Sequence, residues 1–433
     1  MKPAFSKILF TSSLLIVANQ ASAAAFQLAE ISTSGLGRAY AGEAAIGDNA
    51  SAVATNPALM SLFKRPEVSA GGVYINPGVN LQGSYTYSIP AYGRSNTVNA
   101  DYSDAIASKF IPNAYVIYPI NDKFAIGGGV NVNYGLATEY DDNYSAGLMG
   151  GTTDLTAINM NVSGSYRFNQ HWSFGLGFNA VYADAALSRR AGALGSLIGL
   201  KADNYLTDLS GDDWGFGWNA GVLYEVNENH RFGLAYHSKI KISFDGSVSS
   251  DLANSSNPMI QSFAKNGAGY VDLTLPDYVE FSGYHRLSEK FALHYSYKYT
   301  KWSRVSRLQA FMYNGGEAFN KTENFKDTSR YAIGASYDWS DKLTLRAGIA
   351  YDESAAHDYT TISIPDTDRM WYSLGATYKF TPDFSVDFAY AYVKGKTKTF
   401  TESESVGSLA TVNGNFTSRS QINLYGINLN YRF

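Results

Sequence analysis

The sequence predicts an all-β transmembrane fold: a 14-stranded antiparallel outer-membrane β-barrel with an N-terminal α-helical hatch, or plug, in its lumen. Three observations carry that expectation. The chain opens on a secretory leader, it is rich in Tyr and Gly without any later apolar helical span, and one kind of short polar turn recurs along it.

Lys2 and Lys7 give residues 1–23 a positive start, Ile8 to Ala18 is apolar apart from Thr11, Ser12 and Ser13, and Ala21-Ser22-Ala23 supplies small residues for cleavage. The run is shorter than the ~20 apolar residues that cross a bilayer as a helix. A signal peptide cut after Ala23 is therefore expected.

A chain of 433 residues usually suggests two or three soluble domains, but 40 Gly, 33 Tyr and 24 Phe argue for one barrel with a polar lumen. The absence of Cys excludes disulfides, thiolate metal sites and a lipid-anchored N-terminus. A net charge of −4 gives no sign of a nucleic-acid partner.

Ala24 to Arg65 is Ala- and Gly-rich, lacks strand alternation and is broken at Asn56-Pro57. It is expected to plug the lumen of a barrel formed by residues 66–433. The barrel itself is counted from its turns. Tyr118 to Phe124, Tyr166 to Trp172, Tyr224 to Phe232, His285 to Phe291, Tyr337 to Leu343 and Tyr378 to Phe384 each place apolar or aromatic residues around a few turn-forming polar ones. Six turns join twelve strands, and a first and a last strand on the same side make fourteen, the even number closed bacterial barrels use. The flanking aromatics would form an interfacial girdle.

The last strand alternates cleanly, Tyr425, Ile427, Leu429, Tyr431 and Phe433 against Gly426, Asn428, Asn430 and Arg432. In Lys123 to Tyr140 the same reading sends Phe124, Ile126, Val130, Val132, Tyr134 and Leu136 to lipid. Gly127, Gly129, Asn131, Asn133, Gly135 and Ala137 then face inward. Such a small-residue wall either leaves room beside the strand, with Gly permitting a bulge, or accommodates the plug. Two outer loops are unusually apolar: Leu194, Leu197, Ile198, Tyr205, Leu206 and Leu209 in one, Leu252, Met259, Ile260 and Phe263 in the other. They would pack as a lid, form a binding groove, or both.

Enzymatic chemistry finds little footing. His171, His230, His237, His285, His294 and His357 show no metal-site spacing, and neither a nucleophile elbow nor a phosphate loop occurs. Asp141-Asp142 and Asp212-Asp213 read as solvated loop charges. No cofactor and no enzyme activity are expected.

FQLAEISTSGLGRAYAGEAA in the plug, followed by Asn56-Pro57-Ala58, resembles the N-terminal hatch of the FadL-type long-chain fatty acid transporters, the FadL/TodX family. The similarity continues through NYGLATEYDDNYSAG, GGTTDL, WSFGLGFNAVYA, WGFGWNAGVLYE, FKD and SIPDTDRMW, and so covers the mature chain. The segment from Arg189 to Trp214 is shorter than its family counterpart. The resemblance implies a monomeric outer-membrane protein that takes up long-chain fatty acids or similar hydrophobic molecules by passive diffusion. Capture would occur in the outer-loop groove, followed by a deeper pocket and sideways exit through a kinked third strand. It further implies that Arg189 and Lys321 hold the ligand head group, that Phe26 blocks the pocket and that Asp352 tethers the terminus. Asn56, Pro57 and Ala58 would belong to the hatch body, and Asn133, Tyr134, Gly135, Leu136 and Ala137 would form the lateral opening. Aromatic hydrocarbons as cargo, a general porin, and a phage-receptor barrel are the alternative readings; lipopolysaccharide is an expected neighbour.

A sideways outlet makes physical sense. About fourteen methylenes at ~0.8 kcal/mol each hold ~11 kcal/mol of an acyl chain's transfer free energy, which release into water would forfeit.

Overall fold

The computed structural model describes residues 25–89, 93–406 and 410–433; the expected signal peptide lies outside them. Fourteen antiparallel strands form a closed barrel: β1 (Glu67–Ile89), β2 (Lys109–Pro119), β3 (Phe124–Thr138), β4 (Thr153–Arg167), β5 (Trp172–Arg190), β6 (Tyr205–Asn227) and β7 (His230–His237), then β8 (Tyr278–Arg286), β9 (Phe291–Thr300), β10 (Thr328–Ser340), β11 (Leu343–Asp352), β12 (Arg369–Lys379), β13 (Phe384–Gly395) and β14 (Ala410–Arg432). Each pairs with the next, and β14 returns to β1 in an unbroken register from Glu67↔Arg432 to Ser88↔Thr411. All six short turns fall between paired strands where the turn residues place them.

The long connections at the opposite rim are themselves partly strands. Among the described residues, Arg94–Asn99, Ile240–Ser249, Gly267–Leu275, Arg307–Met312, Glu317–Thr322 and Lys398–Val406 extend the sheet beyond the fourteen. The two apolar loops pack against each other: Leu194, Ile198, Leu206, Leu252 and Ile260 share one buried cluster with Tyr85, Tyr140 and Phe416. Among the described residues their helical content is short: the 3-10 turns Gly192–Leu194 and Asp251–Asn254 and the four-residue α-helical turns Gly195–Ile198 and Pro258–Gln261.

Along β14, Tyr425, Ile427, Leu429, Tyr431 and Phe433 are exposed on the outer face while Asn428 and Asn430 are buried. Aromatic pairs band the short-turn rim, Phe124 with Tyr166 at 4.8 Å and Trp172 with Tyr224 at 4.6 Å between ring centres. Such a belt suits a membrane interface, where rings keep one side apolar and one side wet.

The alternation expected for β3 fails halfway. Phe124, Ile126 and Val130 are exposed, but Val132, Tyr134 and Leu136, expected to face lipid, are buried. For Tyr134 and Leu136 the cause is a β-bulge: Val132 pairs with Ile158 and Tyr134 with Ala157, so Asn133 is an extra residue and the faces exchange beyond it. Val132, ahead of the bulge, is instead buried in a cluster with Leu28, Val73 and Ile111.

Residues 25–63 lie buried against strands from all around the barrel. Thr33–Leu36 touches β12, β13 and β14, whereas the 3-10 helix Pro57–Leu62 touches β4, β5 and β6. Helix is scarce in this segment, confined besides to Ala52–Thr55; most of it is turns. Two wall glycines make room for it, one for its backbone and one for a side chain. A Cβ at Gly233 would stand 1.7 Å from Ala44 O, and one at Gly221 would stand 1.7 Å from Asn56 Oδ1. A buried ion cluster braces the segment: Arg38 bonds Glu43 at 2.7 Å and Asp48 at 2.8 Å, and Arg346 of β11 reaches Asp48 at 3.2 Å.

Candidate functional site: an apolar cavity, a charged cluster and an interrupted wall

Phe26 stands at the centre of the site. Its ring meets Trp302 edge-on at 4.7 Å and lies 6.3 Å from Tyr134 and 6.4 Å from Phe325. Beside it a cavity of about 100 Å³ is lined by Leu136, Leu155, Phe244, Leu273, Leu308 and Phe319, among other apolar groups. Sites for sizeable ligands are usually ~300–1,000 Å³. With Phe26 in this position the cavity holds only part of a long chain.

The same segment is bonded to the bulged strand. Leu28 N donates to Asn133 O at 2.8 Å, and Gly135 N donates to Phe26 O at 2.7 Å. These bonds exist because β2 has left that edge free. The β2–β3 ladder ends at Asn113↔Asn131, and the next bridge on that side is Ile106↔Thr138. Residues 132–137 therefore interrupt the wall, with their edge turned to Phe26–Leu28 instead of to the neighbouring strand. Tyr134 is held further in by its hydroxyl, which donates to Pro276 O at 2.9 Å. Leu136 lines the apolar cavity, and Ala137 is buried.

Arg189 and Lys321, far apart in sequence, line one cavity of about 210 Å³ at the outer end, with Leu206, Phe263, Phe319 and Glu404. Neither is idle. Lys321 Nζ donates to Ser363 Oγ at 2.8 Å and to Glu402 Oε1 at 3.0 Å, with Glu404 at 3.9 Å. Arg189 Nη1 donates to Ser188 O, Thr152 O and Thr153 Oγ1, leaving Nη2 buried without a partner. Glu323 completes the group: both of its carboxyl oxygens are buried and unpartnered, and burial pushes its carboxyl up to about 7 despite Lys321. Burial likewise raises Glu404.

These three glutamates were not anticipated. Glu402 and Glu404 are two residues apart in one strand and so share a face, and Glu323 lies just past the end of the Glu317–Thr322 strand that carries Lys321, but only the fold brings the two segments together.

Asp352 is buried at the end of β11, lining a small cavity with Gln27, Leu28 and Ala29. Ala24, the terminal residue it was expected to tether, lies outside the described residues. Asn56, Pro57 and Ala58 act together as a joint. Asn56 Oδ1 caps the 3-10 helix by accepting from Ala58 N at 3.0 Å, and Asn56 Nδ2 donates to Ala44 O at 2.7 Å and to Val222 O at 3.2 Å. Among the described residues, no His, Asp or Glu group is arranged to hold a metal ion.

Comparison with known proteins agrees with this architecture. The family described as outer membrane protein transport protein (OMPP1/FadL/TodX) matches residues 14–433. A 47 kDa outer membrane protein of Pasteurella multocida is 52% identical over 99% of both chains. A long-chain fatty acid transport protein of Escherichia coli K12 is 43% identical, again over 99% of both. The crystal structure of a Pseudomonas aeruginosa FadL homologue superposes with a TM-score of 0.81 at 22% identity, covering 95% of this chain and 100% of that one.

Proposed function

The chain belongs to the OMPP1/FadL/TodX family of outer-membrane transport proteins, and from that premise we propose that its cargo is long-chain fatty acids, moved by passive diffusion and released sideways through the interrupted wall. It is a multi-pass outer membrane protein of a family of channels for hydrophobic compounds, not an enzyme.

One observation carries the finer reading. The segment that narrows the apolar cavity, Phe26–Leu28, is hydrogen-bonded to the part of β3 where the wall is interrupted. Withdrawal of that segment would enlarge the cavity and free the strand edge in one movement. In this reading Arg189 and Lys321 hold the carboxylate at the outer end, residues 25–63 serve as the hatch, and Asn56-Pro57-Ala58 belongs to its fixed body. The acyl chain fills the space beside Phe26, and Asn133 to Ala137 frame the outlet to lipid.

The charged cluster refines the head-group role. Glu402 already occupies Lys321, so an incoming carboxylate competes with it for the ammonium, while the free Nη2 of Arg189 is open to a new acceptor. Charge-assisted hydrogen bonds of this kind are the strong ones. Proteoliposomes with a lipopolysaccharide outer leaflet test the reading: the barrel should speed oleate uptake, and removal of Ala24 to Gln27 should change that rate. Uptake no faster than in protein-free vesicles overturns it.

A further inference from the structure

Five charged residues face one another across five neighbouring strands at one level of the lumen. The register runs Glu280↔Lys298, Lys298↔Arg330, Arg330↔Asp352 and Asp352↔Arg369. Arg369 is neutralised by its bond to Asp366. Among the described residues, Lys298 and Arg330 have no such carboxylate partner within hydrogen-bond reach. Lys298 Nζ rests 4.0 Å over the Tyr278 ring. The Arg330 guanidinium stacks 5.2 Å from Trp371, spends one N–H on Ala39 O at 3.0 Å and leaves Nε buried without a partner.

These two cations line a small cavity whose other wall is Gln27, Leu28 and Ala29, with Thr300, Thr328 and Asp352 completing it. Gln27 is held there by Thr300 Oγ1, which donates to Gln27 Oε1 at 3.4 Å. The segment 26–29 is thus a partition. One side bounds the apolar cavity at Phe26 and the other bounds this cationic recess.

We propose that Lys298 and Arg330 form a second station for an anionic head group, a carboxylate, reached when residues 26–29 move aside. The inference rests on the reading that the cargo is a fatty acid. A carboxylate leaving Arg189 and Lys321 must cross an apolar lumen, and an unpaired buried charge is costly. Two incompletely neutralised cations behind the partition offer it the next partner on the way inward. Their planar and ammonium donors suit a carboxylate, and a neutral head group gains nothing from the charge.

The test compares radiolabelled oleate with oleyl alcohol, which has the same chain and no charge, in the proteoliposomes described above. Variants are Lys298→Met, Arg330→Gln, the double substitution and Lys298→Arg, each checked for barrel content by circular dichroism. Oleate uptake should fall about tenfold in the double variant, with oleyl alcohol uptake within twofold of wild type and Lys298→Arg restoring most of the oleate rate. Parallel losses for both compounds, or no loss for oleate, overturn the station while leaving the fatty acid reading intact. A wild-type barrel that moves oleyl alcohol but not oleate removes the fatty acid reading and the station together.

Discussion

The backbone carbonyl of Phe26 accepts a 2.7 Å hydrogen bond from the amide of Gly135, so the residue that narrows the apolar cavity and the strand that interrupts the barrel wall are joined directly. Displacing either changes the hydrogen bonding of the other.

Deleting Asn133 removes the extra residue of the bulge and restores a single alternation through β3. Tyr134 and Leu136 would keep Ala157 and Leu155 as partners and stay on the inner face, but the edge they now turn to Phe26–Leu28 would come into line with β2, and the β2–β3 ladder could continue past Asn131. We expect oleate uptake to fall at least tenfold while the barrel remains folded; uptake at the wild-type rate would show that the interruption is not the outlet.

Substituting Arg189 by Ala removes the partly unsatisfied guanidinium from the outer cavity. A hydrogen bond to a charged group is worth about 1.5–3 kcal/mol, so affinity for dodecanoate should drop about tenfold or more. Lys321→Met alone also strands Glu402, so it should destabilise the outer end more than the Lys321→Met, Glu402→Gln pair. Titration calorimetry and thermal melts separate the two effects.

Glu323 sets a pH dependence. Its carboxyl is pushed up to about 7 by burial, with Lys321 and Arg189 opposing and Glu402 and Glu404 adding to the shift. Below that value it is neutral; above it, a new negative charge sits beside both cations and repels an anionic ligand. Affinity for dodecyl sulfate, whose own charge is constant, should therefore weaken by several-fold from pH 6 to pH 8. Glu323→Gln should flatten the profile.

Arg38 holds the N-terminal segment closed on itself through Glu43 and Asp48. Arg38→Met would leave Glu43 buried without its cation, at a cost of ~3–5 kcal/mol for a buried pair broken on one side, while half-buried Asp48 would keep Arg346. Loosening of the segment should appear as raised single-channel conductance in planar bilayers, against a nearly closed wild type. Equal conductance would mean that other contacts hold the segment unaided.

The short turns were legible because turn chemistry is local: Asn121 Oδ1, for instance, accepts from the amides of Lys123 and Phe124 within the turn itself. That sufficed for the strand count. The six outer strand segments were not legible, because their pairing depends on partners brought together by the barrel. The exchange of faces at Asn133 escaped for a related reason. One inserted residue leaves an alternating pattern looking continuous, and only the partner strand reveals the offset. Arg189 and Lys321 were found by resemblance, but Glu402, 81 positions beyond Lys321, had no local signal pointing to it.

The ladder between β1 and β14 has a consequence for how the molecule is made. It joins the first strand synthesised to the last, from Glu67↔Arg432 to Ser88↔Thr411. Until residue 433 is available, both strands present long unpaired edges of the kind that invite mispairing. The final strand also grips the interior: Thr33 Oγ1 donates to Asn428 Oδ1 at 2.6 Å, and Ser69 Oγ of β1, which accepts from Ala50 N at 3.1 Å, donates to Asn430 Oδ1 at 2.7 Å. Residues 25–63 must already be seated when that seam zips shut, because afterwards the cylinder surrounds them. Assembly is thus ordered by topology, and loss of the last few residues should leave an open, unsealed sheet rather than a slightly shortened barrel.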